Sequence, residues 1–345
     1  MSGWDILKLD PIDGQPLTAL RDQLSTDERH RIVSTLHGAL AYVNGTGILH
    51  TDVSSANVLW DGSQPYLIDF EEAKELRSAI RSEDSPDIVG GPPCCWGDVG
   101  YGYKTYLCLQ SLREWLLQRE FSDLKQDLAR RGAWNPASVG NTWEPWSTRD
   151  DGSIYQSVAF GGDALPGQRA PELRLLYLVT RKKISFSGKV VLDIGCNLGR
   201  LGALFEKLGV GHYVGVDVNE DFIDLAAALA RLEGRTRSAF VAGDVCSSAT
   251  FEELKRRSPA GYDVVICQSV YHHFVDKRTF WDKFATLGCR WLVFEGPVHD
   301  PKCLMTESWA TEKAFLRGLG YTAVHEGTDN DFGWRVVALF EQQSK

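Results

Sequence analysis

The densest chemistry in the chain lies between Asp193 and Gln268. Val191-Leu-Asp-Ile-Gly-Cys-Asn-Leu-Gly199 sets a carboxylate, Asp193, two residues before a loop bounded by Gly195 and Gly199, with Cys196 and Asn197 inside it. Glycines allow backbone to approach a ligand closely. A second acid, Asp217, closes a β-branched run, and a third, Asp244, follows another. The G-x-G-x-x-G loop of a pyrophosphate site is absent, because Gly195 is followed by Cys196, Asn197 and Leu198. Asp193 would repel phosphate and attract a cation. An acid at 217 can accept both hydroxyls of a ribose, and one at 244 can accept from an exocyclic amine. Such a series suits a cationic nucleoside with an amino-acid tail.

The pattern around these residues supplies the positioning elements. Buried-strand runs at 189–194, 213–218, 239–242, 262–267 and 291–294 alternate with helical periodicities at 200–208, 221–232, 251–257, 277–287 and 307–319. Two strands, 321–325 and 334–340, close the chain around Gly327-Thr-Asp-Asn-Asp331. Alternation predicts a doubly wound α/β sheet with helices on both faces. The terminal strand pair without a helix predicts one antiparallel strand at or near the edge. In such sheets ligands bind beyond the carboxyl ends of the strands.

On these residues the stretch from about 166 to 345 resembles a class I S-adenosylmethionine-dependent methyltransferase. Leu192-Asp-Ile-Gly-Cys-Asn-Leu-Gly199 is similar to the family's first motif, Gly215-Val-Asp217 to its second, Gly243-Asp244 to its third, and Asp263-Val-Val-Ile-Cys-Gln-Ser269 to its fourth. The resemblance implies a seven-stranded Rossmann-like sheet binding S-adenosyl-L-methionine. Asp193 and Gly195 would hold the methionine end, Asp217 the ribose and Asp244 the adenine amine. Gln268 would lie beside the donor, and Cys196, Asn197, Gly199 and Val245 also belong to the implied donor site. Arg169, ahead of a helix expected near Pro171, is either a partner for the methionine carboxylate or a plain surface arginine.

The acceptor side would follow the fourth strand at Ser269-Val-Tyr-His-His-Phe274. Histidine as a residue type titrates near neutrality, so His272 or His273 is a candidate base for a hydroxyl acceptor. The alternative is that the segment only shapes the pocket. Glu295, ending the fifth strand, and His299 face the same region. No Asn/Asp-Pro-Pro-aromatic segment of adenine-amino methylation follows that strand. Cys267 lacks the Pro-Cys context of cytosine-C5 enzymes. The acceptor is therefore expected to be a small molecule or glycan, methylated on oxygen.

The first 150 residues read differently. Leu49-His-Thr-Asp-Val-Ser-Ser-Ala-Asn-Val-Leu-Trp60 holds His-x-Asp-x-x-x-x-Asn, and Tyr66-Leu-Ile-Asp-Phe-Glu71 adds an acid after an apolar run. This resembles the catalytic and metal loops of the protein-kinase-like superfamily, with an Asp-Phe-Glu variant similar to small-molecule kinases. The resemblance implies Asp52 as base and Asn57 and Asp69 as magnesium ligands beside ATP. Trp4–Leu9 would be the strand into the hinge and 28–44 the helix before the loop. The departure is the small lobe: Lys8 is the sole lysine before Lys74, and no glycine-rich loop is present. The expected domains are a mostly helical kinase-like large-lobe remnant with a Trp-rich connection, 1–150, and the methyltransferase, 151–345. Trp143 and Trp146 are expected in interdomain packing, with sugar stacking as the alternative. Two other readings remain: a bifunctional kinase–methyltransferase whose small lobe is missing from this chain, and a non-catalytic donor-binding module. The pairing also resembles bacterial enzymes that phosphorylate and methylate surface polysaccharide ends, where the domain order is reversed.

Composition excludes several classes. The 345 residues are 43% hydrophobic and 24% charged, which suits a folded core. A net charge of −9 without a basic stripe disfavours nucleic acid. Eight cysteines without a Cys-x-x-Cys pair make poor zinc or disulfide spacing. No apolar run approaches a membrane span, no secretion signal is visible, and a cytoplasmic location is expected.

Overall fold

The computed structural model describes residues 11–45, 48–50, 52–71, 73–75, 103–131, 154–160, 163–165, 167–169, 175, 184–274, 276–297, 309–328 and 335–343. The expectations for Trp4–Leu9, for a helix from Pro171, and for Trp143, Trp146 and His299 lie outside these residues. The chain divides into two compact units, Met1–Glu120 and Phe121–Lys345. The sequence reading had placed that division at residue 150.

In the first unit, β1 (Gln15–Pro16) and α1 (Leu17–Leu20) precede α2 (Thr26–Gly45). The Ser25 hydroxyl and amide both bond the Glu28 carboxylate, and the Glu28 amide donates back to the hydroxyl, a capping box. Helix α2 covers the expected 28–44 and buries Ile32, Val33, Leu36 and Leu40. The short strands β2 (Ile48–Leu49), β3 (Val58–Trp60), β4 (Pro65–Leu67) and β5 (Lys74–Glu75) follow, paired as β1-β3-β4 and β2-β5. Helix α3 (Tyr103–Leu116) packs on α2, with Leu109, Leu112 and Leu116 buried as core. The second unit, from Phe121, takes in most of α4 (Gln118–Arg131) and four three-residue strands. Of these, β6 (Ile154–Gln156) pairs with β9 (Gly167–Arg169) around the hairpin β7 (Val158–Phe160) and β8 (Asp163–Leu165).

The second unit is dominated by a seven-stranded sheet. Its elements are β10 (Val190–Ile194), α5 (Arg200–Lys207), β11 (His212–Asp217), α6 (Glu220–Leu232), β12 (Ser238–Ala242), α7 (Ser248–Arg257), β13 (Val264–Cys267), α8 (Lys277–Phe284), β14 (Trp291–Pro297), α9 (Trp309–Gly318), β15 (Tyr321–Thr328) and β16 (Arg335–Gln342). The spatial order is β12-β11-β10-β13-β14-β16-β15. All neighbours pair in parallel except β16, which runs antiparallel between β14 and the edge strand β15. The order reverses at β10, and the crevice at such a switch point is where ligands bind.

Strand alternation divides the side chains between two faces. Leu192, Ile194, Val214, Val216, Val265, Cys267, Leu292 and Phe294 enter one apolar core with Phe251, Phe280, Trp281, Phe284 and Leu316 from α7, α8 and α9. Asp193, Tyr213, Gly215 and Asp217 therefore point to the other face. There Phe205 of α5 stacks on Tyr213 with ring centroids 6.0 Å apart. Helix ends are set locally: Asn219, Ser247 and Asp276 each accept an amide hydrogen bond as N-cap.

Phe284 is fully buried among Phe280, Trp281 and Tyr321. Phe284→Ala is expected to lower stability by about 3–5 kcal/mol, read as a fall in the urea midpoint at an unchanged m-value.

Candidate functional site

The turn from β10 into α5 is built by three residues with positive φ: Gly195 at 73°, Asn197 at 50° and Gly199 at 63°. Both glycines are also required by space. A Cβ on Gly195 would come within 2.7 Å of Val270, and one on Gly199 would strike the Phe240 ring. The Gly195 and Cys196 amides both donate to the Val216 carbonyl, at 2.8 and 3.1 Å. The Asn197 amide donates to Asp217 Oδ2 at 2.9 Å, and the Asn219 amide to Asp217 Oδ1 at 3.0 Å. Asp217 thus fastens the loop across the end of β11 and keeps lone pairs on both oxygens.

Asp193 sits beneath this loop at 4% exposure. The Tyr213 hydroxyl donates to its Oδ2 at 2.6 Å. Burial pushes the Asp193 carboxyl up to about 7; the Tyr213 hydrogen bond opposes that shift and the nearby Asp217 charge adds to it. Burial also raises Asp217, against the pull of its backbone hydrogen bonds. Asp244, after β12, is exposed and accepts the Cys246 amide at 2.8 Å. Val245 beside it is buried. The three acids end three adjacent strands, so they span roughly 10 Å, two strand spacings, the reach of one nucleoside. The three residues that the sequence reading grouped are thus brought together.

Arg169 lies on β9, where its Cα pairs with that of Gln156. Gln268 follows β13. Both its amide atoms are buried without a hydrogen-bond partner, as is Asn197 Oδ1. Ser269 has φ 55°, and its hydroxyl donates to both oxygens of buried Glu295, at 3.0 and 3.2 Å. Register places Asp193 opposite Ile266 and Ile266 opposite Val293, so Glu295, two residues on, shares the Asp193 face. His272 and His273 occupy a 3₁₀ turn, Tyr271–His273, with ring centroids 4.0 Å apart. The Tyr271 hydroxyl anchors that turn. It donates to buried Glu312 at 2.9 Å and accepts from the Trp281 indole at 2.9 Å. The Cys267 thiol is pushed well above its ordinary range by burial and by the Glu295 charge, which removes it as a thiolate nucleophile.

Sequence reading missed Tyr213, Ser269 and Glu312. For Tyr213 a signal existed. Tyr213, Gly215 and Asp217 share a face, and Asp193 pairs with Gly215, whose missing side chain leaves the diagonal neighbour within reach.

In the first unit, the Asn57 amide donates to Asp52 Oδ2 at 2.8 Å and to the Asp52 carbonyl at 3.2 Å. Buried His50 hydrogen-bonds the Ile68 carbonyl through Nε2 at 2.9 Å and meets Phe70 edge-on at 4.5 Å. Asp69 has φ 62°. Strands β3 and β4 form the hairpin between Asn57 and Asp69. Among the described residues no group of three or more His, Cys, Asp or Glu side chains is placed to hold a metal ion. None of the described helices is long and apolar enough to cross a membrane.

A raised carboxyl stabilises the fold only while it carries its proton. The Asp193 contribution is complete below about 3.8, its unfolded value, and is lost as pH rises through about 7. Melting temperature followed from pH 4 to 8 should therefore carry a falling component that Asp193→Asn removes.

A family described as "Methyltransferase domain" matches residues 192–288. The ubiquinone biosynthesis O-methyltransferase of Aeromonas salmonicida is 30% identical over 109 residues, 32% of this chain and 42% of that protein. The mitochondrial ubiquinone biosynthesis O-methyltransferase of Schizosaccharomyces pombe is 29% identical over 144 residues, 41% of this chain and 45% of that protein. The chain thus spans less than half the length of these curated relatives. Among solved structures, magnesium protoporphyrin IX methyltransferase of Synechocystis PCC 6803 with bound S-adenosylmethionine is 19% identical. It covers 50% of this chain and 77% of its own, with a TM-score of 0.40. Motifs, strand order and family match converge: the C-terminal part of this chain is a class I S-adenosylmethionine-dependent methyltransferase domain.

Proposed function

We propose that the chain transfers the methyl group of S-adenosylmethionine to a hydroxyl oxygen of a small-molecule or glycan acceptor. The observation that carries the donor half is the clasp between the Asn197 amide and Asp217, which sets a half-buried carboxylate beside the glycine loop. The O-directed half rests on the curated O-methyltransferase relatives. When bound, the donor supplies an electrophilic methyl on a positively charged sulfur. Asp217 accepts the ribose hydroxyls and Asp244 the adenine amine, with Val245 as apolar floor. Asp193, Gly195, Cys196, Asn197 and Gly199 surround the methionine end, and Arg169 pairs with its carboxylate. The orphaned amide of Gln268 and Oδ1 of Asn197 fit a ligand rich in donors and acceptors. His272 or His273 takes the acceptor proton, and Glu295 orients the hydroxyl through Ser269 or directly.

Calorimetric titration with S-adenosylmethionine tests the donor half. Wild-type protein should bind, and Asp217→Ala should bind at least about tenfold more weakly; equal affinity would overturn the assignment. On a panel of phenolic, sugar and glycan hydroxyls, His272→Ala or His273→Ala should lose turnover by about 10²-fold or more. Full turnover in both variants sinks the base.

A second reading concerns the first unit, where the Asn57–Asp52 grip and the left-handed Asp69 are favourable observations. We infer that it is a phosphotransferase-like large-lobe remnant kept as a scaffold. Titration with ATP and magnesium chloride should then give no phosphate release above the blank. Release abolished by Asp69→Ala would instead establish a bifunctional enzyme.

A further inference from the structure

We propose that Gln156 is a positioning residue for the methyl-donor loop, so that the strand carrying it, β6, outside the family match, forms part of the donor site. The inference rests on the donor reading above. Gln156 is 5% exposed although it is polar. Its Nε2 donates to the Cys196 carbonyl at 3.3 Å, and its Oε1 accepts the Arg200 amide at 3.4 Å. One carboxamide therefore bridges the two ends of the glycine loop.

The need for it follows from the loop itself. Gly199 occupies the N-cap of α5 and has no side chain to cap with, and no side-chain cap bond is made there. The first amides of a helix lack intrahelical partners. Gln156 supplies the missing acceptor from elsewhere in the chain. The Gly199 carbonyl, on the other side of the same peptide, accepts Arg235 Nη1 at 2.8 Å. The Arg235 guanidinium in turn pairs with Glu233, which also binds Arg200. Two of the loop's amides hang from the Val216 carbonyl and a third from Asp217. Gln156 adds a second donor to the Cys196 carbonyl, which also accepts the Gly199 amide at 2.8 Å, and supplies the acceptor at the loop's far end.

The job demands an amide. A carboxylate could accept from Arg200 but would face the Cys196 carbonyl with no proton to give, and an alanine would leave the Arg200 amide unbonded and the Cys196 carbonyl with the Gly199 amide alone, at 2.8 Å. Pairing of β6 with β9 sets the Gln156 Cα beside that of Arg169, so a single ribbon brings both positions to the loop.

The test combines amide hydrogen exchange of the ligand-free chain with S-adenosylmethionine calorimetry. In Gln156→Ala, exchange over 196–200 should speed up about tenfold while the rest of the sheet keeps its protection, and donor affinity should fall about tenfold. Gln156→Glu, nearly the same volume, should show at least as large a loss and guards against simple failure to fold. Loop exchange and affinity within twofold of wild type in both variants would overturn the proposal. So would protection lost evenly across the sheet with affinity unchanged, which would mark a merely structural residue. Wild-type protein that binds no donor would defeat the function proposed above, and the exchange arm would still decide whether Gln156 clamps the loop.

Discussion

The donor side depends on one backbone reversal, the passage from β10 to α5 through Gly195, Asn197 and Gly199. Left-handed backbone costs glycine little, but a non-glycine residue there costs on the order of 1 kcal/mol or more. Asn197 is among the few residue types that visit the region routinely. Its amide is repaid by a charge-assisted bond to Asp217. The same bond draws the loop across β11, so strain at Asn197 and placement of the second-strand carboxylate are one event. Gly195 can be nothing larger because Val270, beyond β13, packs where its Cβ would lie. That contact ties the glycine loop to the segment carrying His272 and His273.

Electrostatics under the loop follow from burial. Asp193 is held by a tyrosine hydroxyl instead of by a cation, so its charge is poorly compensated and its proton is retained to near neutrality. Buried Arg235, at the glycine loop, is occupied with Glu233 and the Gly199 carbonyl. A positively charged ligand entering this site meets a carboxylate that gives up its proton to receive it. Binding and deprotonation are then linked by the same free energy. An anionic ligand would find no such gain, which agrees with the absence of a phosphate loop in the sequence.

Much of the second unit was legible in the sequence because its strands are short β-branched runs separated by helices of clear period. The antiparallel strand near the edge followed from the closing pair at 321–325 and 334–340, observed as Tyr321–Thr328 and Arg335–Gln342. The carboxylates were legible because each ends a strand, and strand ends of a parallel sheet share one rim. What was not legible is non-local. Gln156 reads as a polar residue in an aperiodic stretch, and nothing near it in sequence announces a partner 40 residues away. Arg235, after Gly234, reads as an exposed turn, yet it is buried over the Phe240 ring. In the first unit the helix at 26–45 was legible only as the helix that the kinase-like resemblance implies before the loop, and the His-x-Asp loop from residue types alone.

The two faces of the sheet explain why polar groups gather where they do. The face holding Leu192, Val214, Val265 and Phe294 is sealed by the aromatic side chains of α8, and its tyrosine hydroxyls are bonded: Tyr271 to Glu312 and Trp281, Tyr262 to the Leu254 carbonyl and Tyr321 to the Cys289 carbonyl. The opposite face carries Asp193, Tyr213 and Glu295, with the donor loop above their strands. Gln268, at the strand end between them, keeps both amide atoms buried and unbonded. An amide so placed costs about 1–3 kcal/mol relative to a bonded one. A fold that satisfies Tyr271 two ways on one face has no packing reason to leave Gln268 bare on the other. The cost is removed by a molecule that both donates and accepts there, a water or the polar edge of a ligand, and the second agrees with the donor reading of this rim.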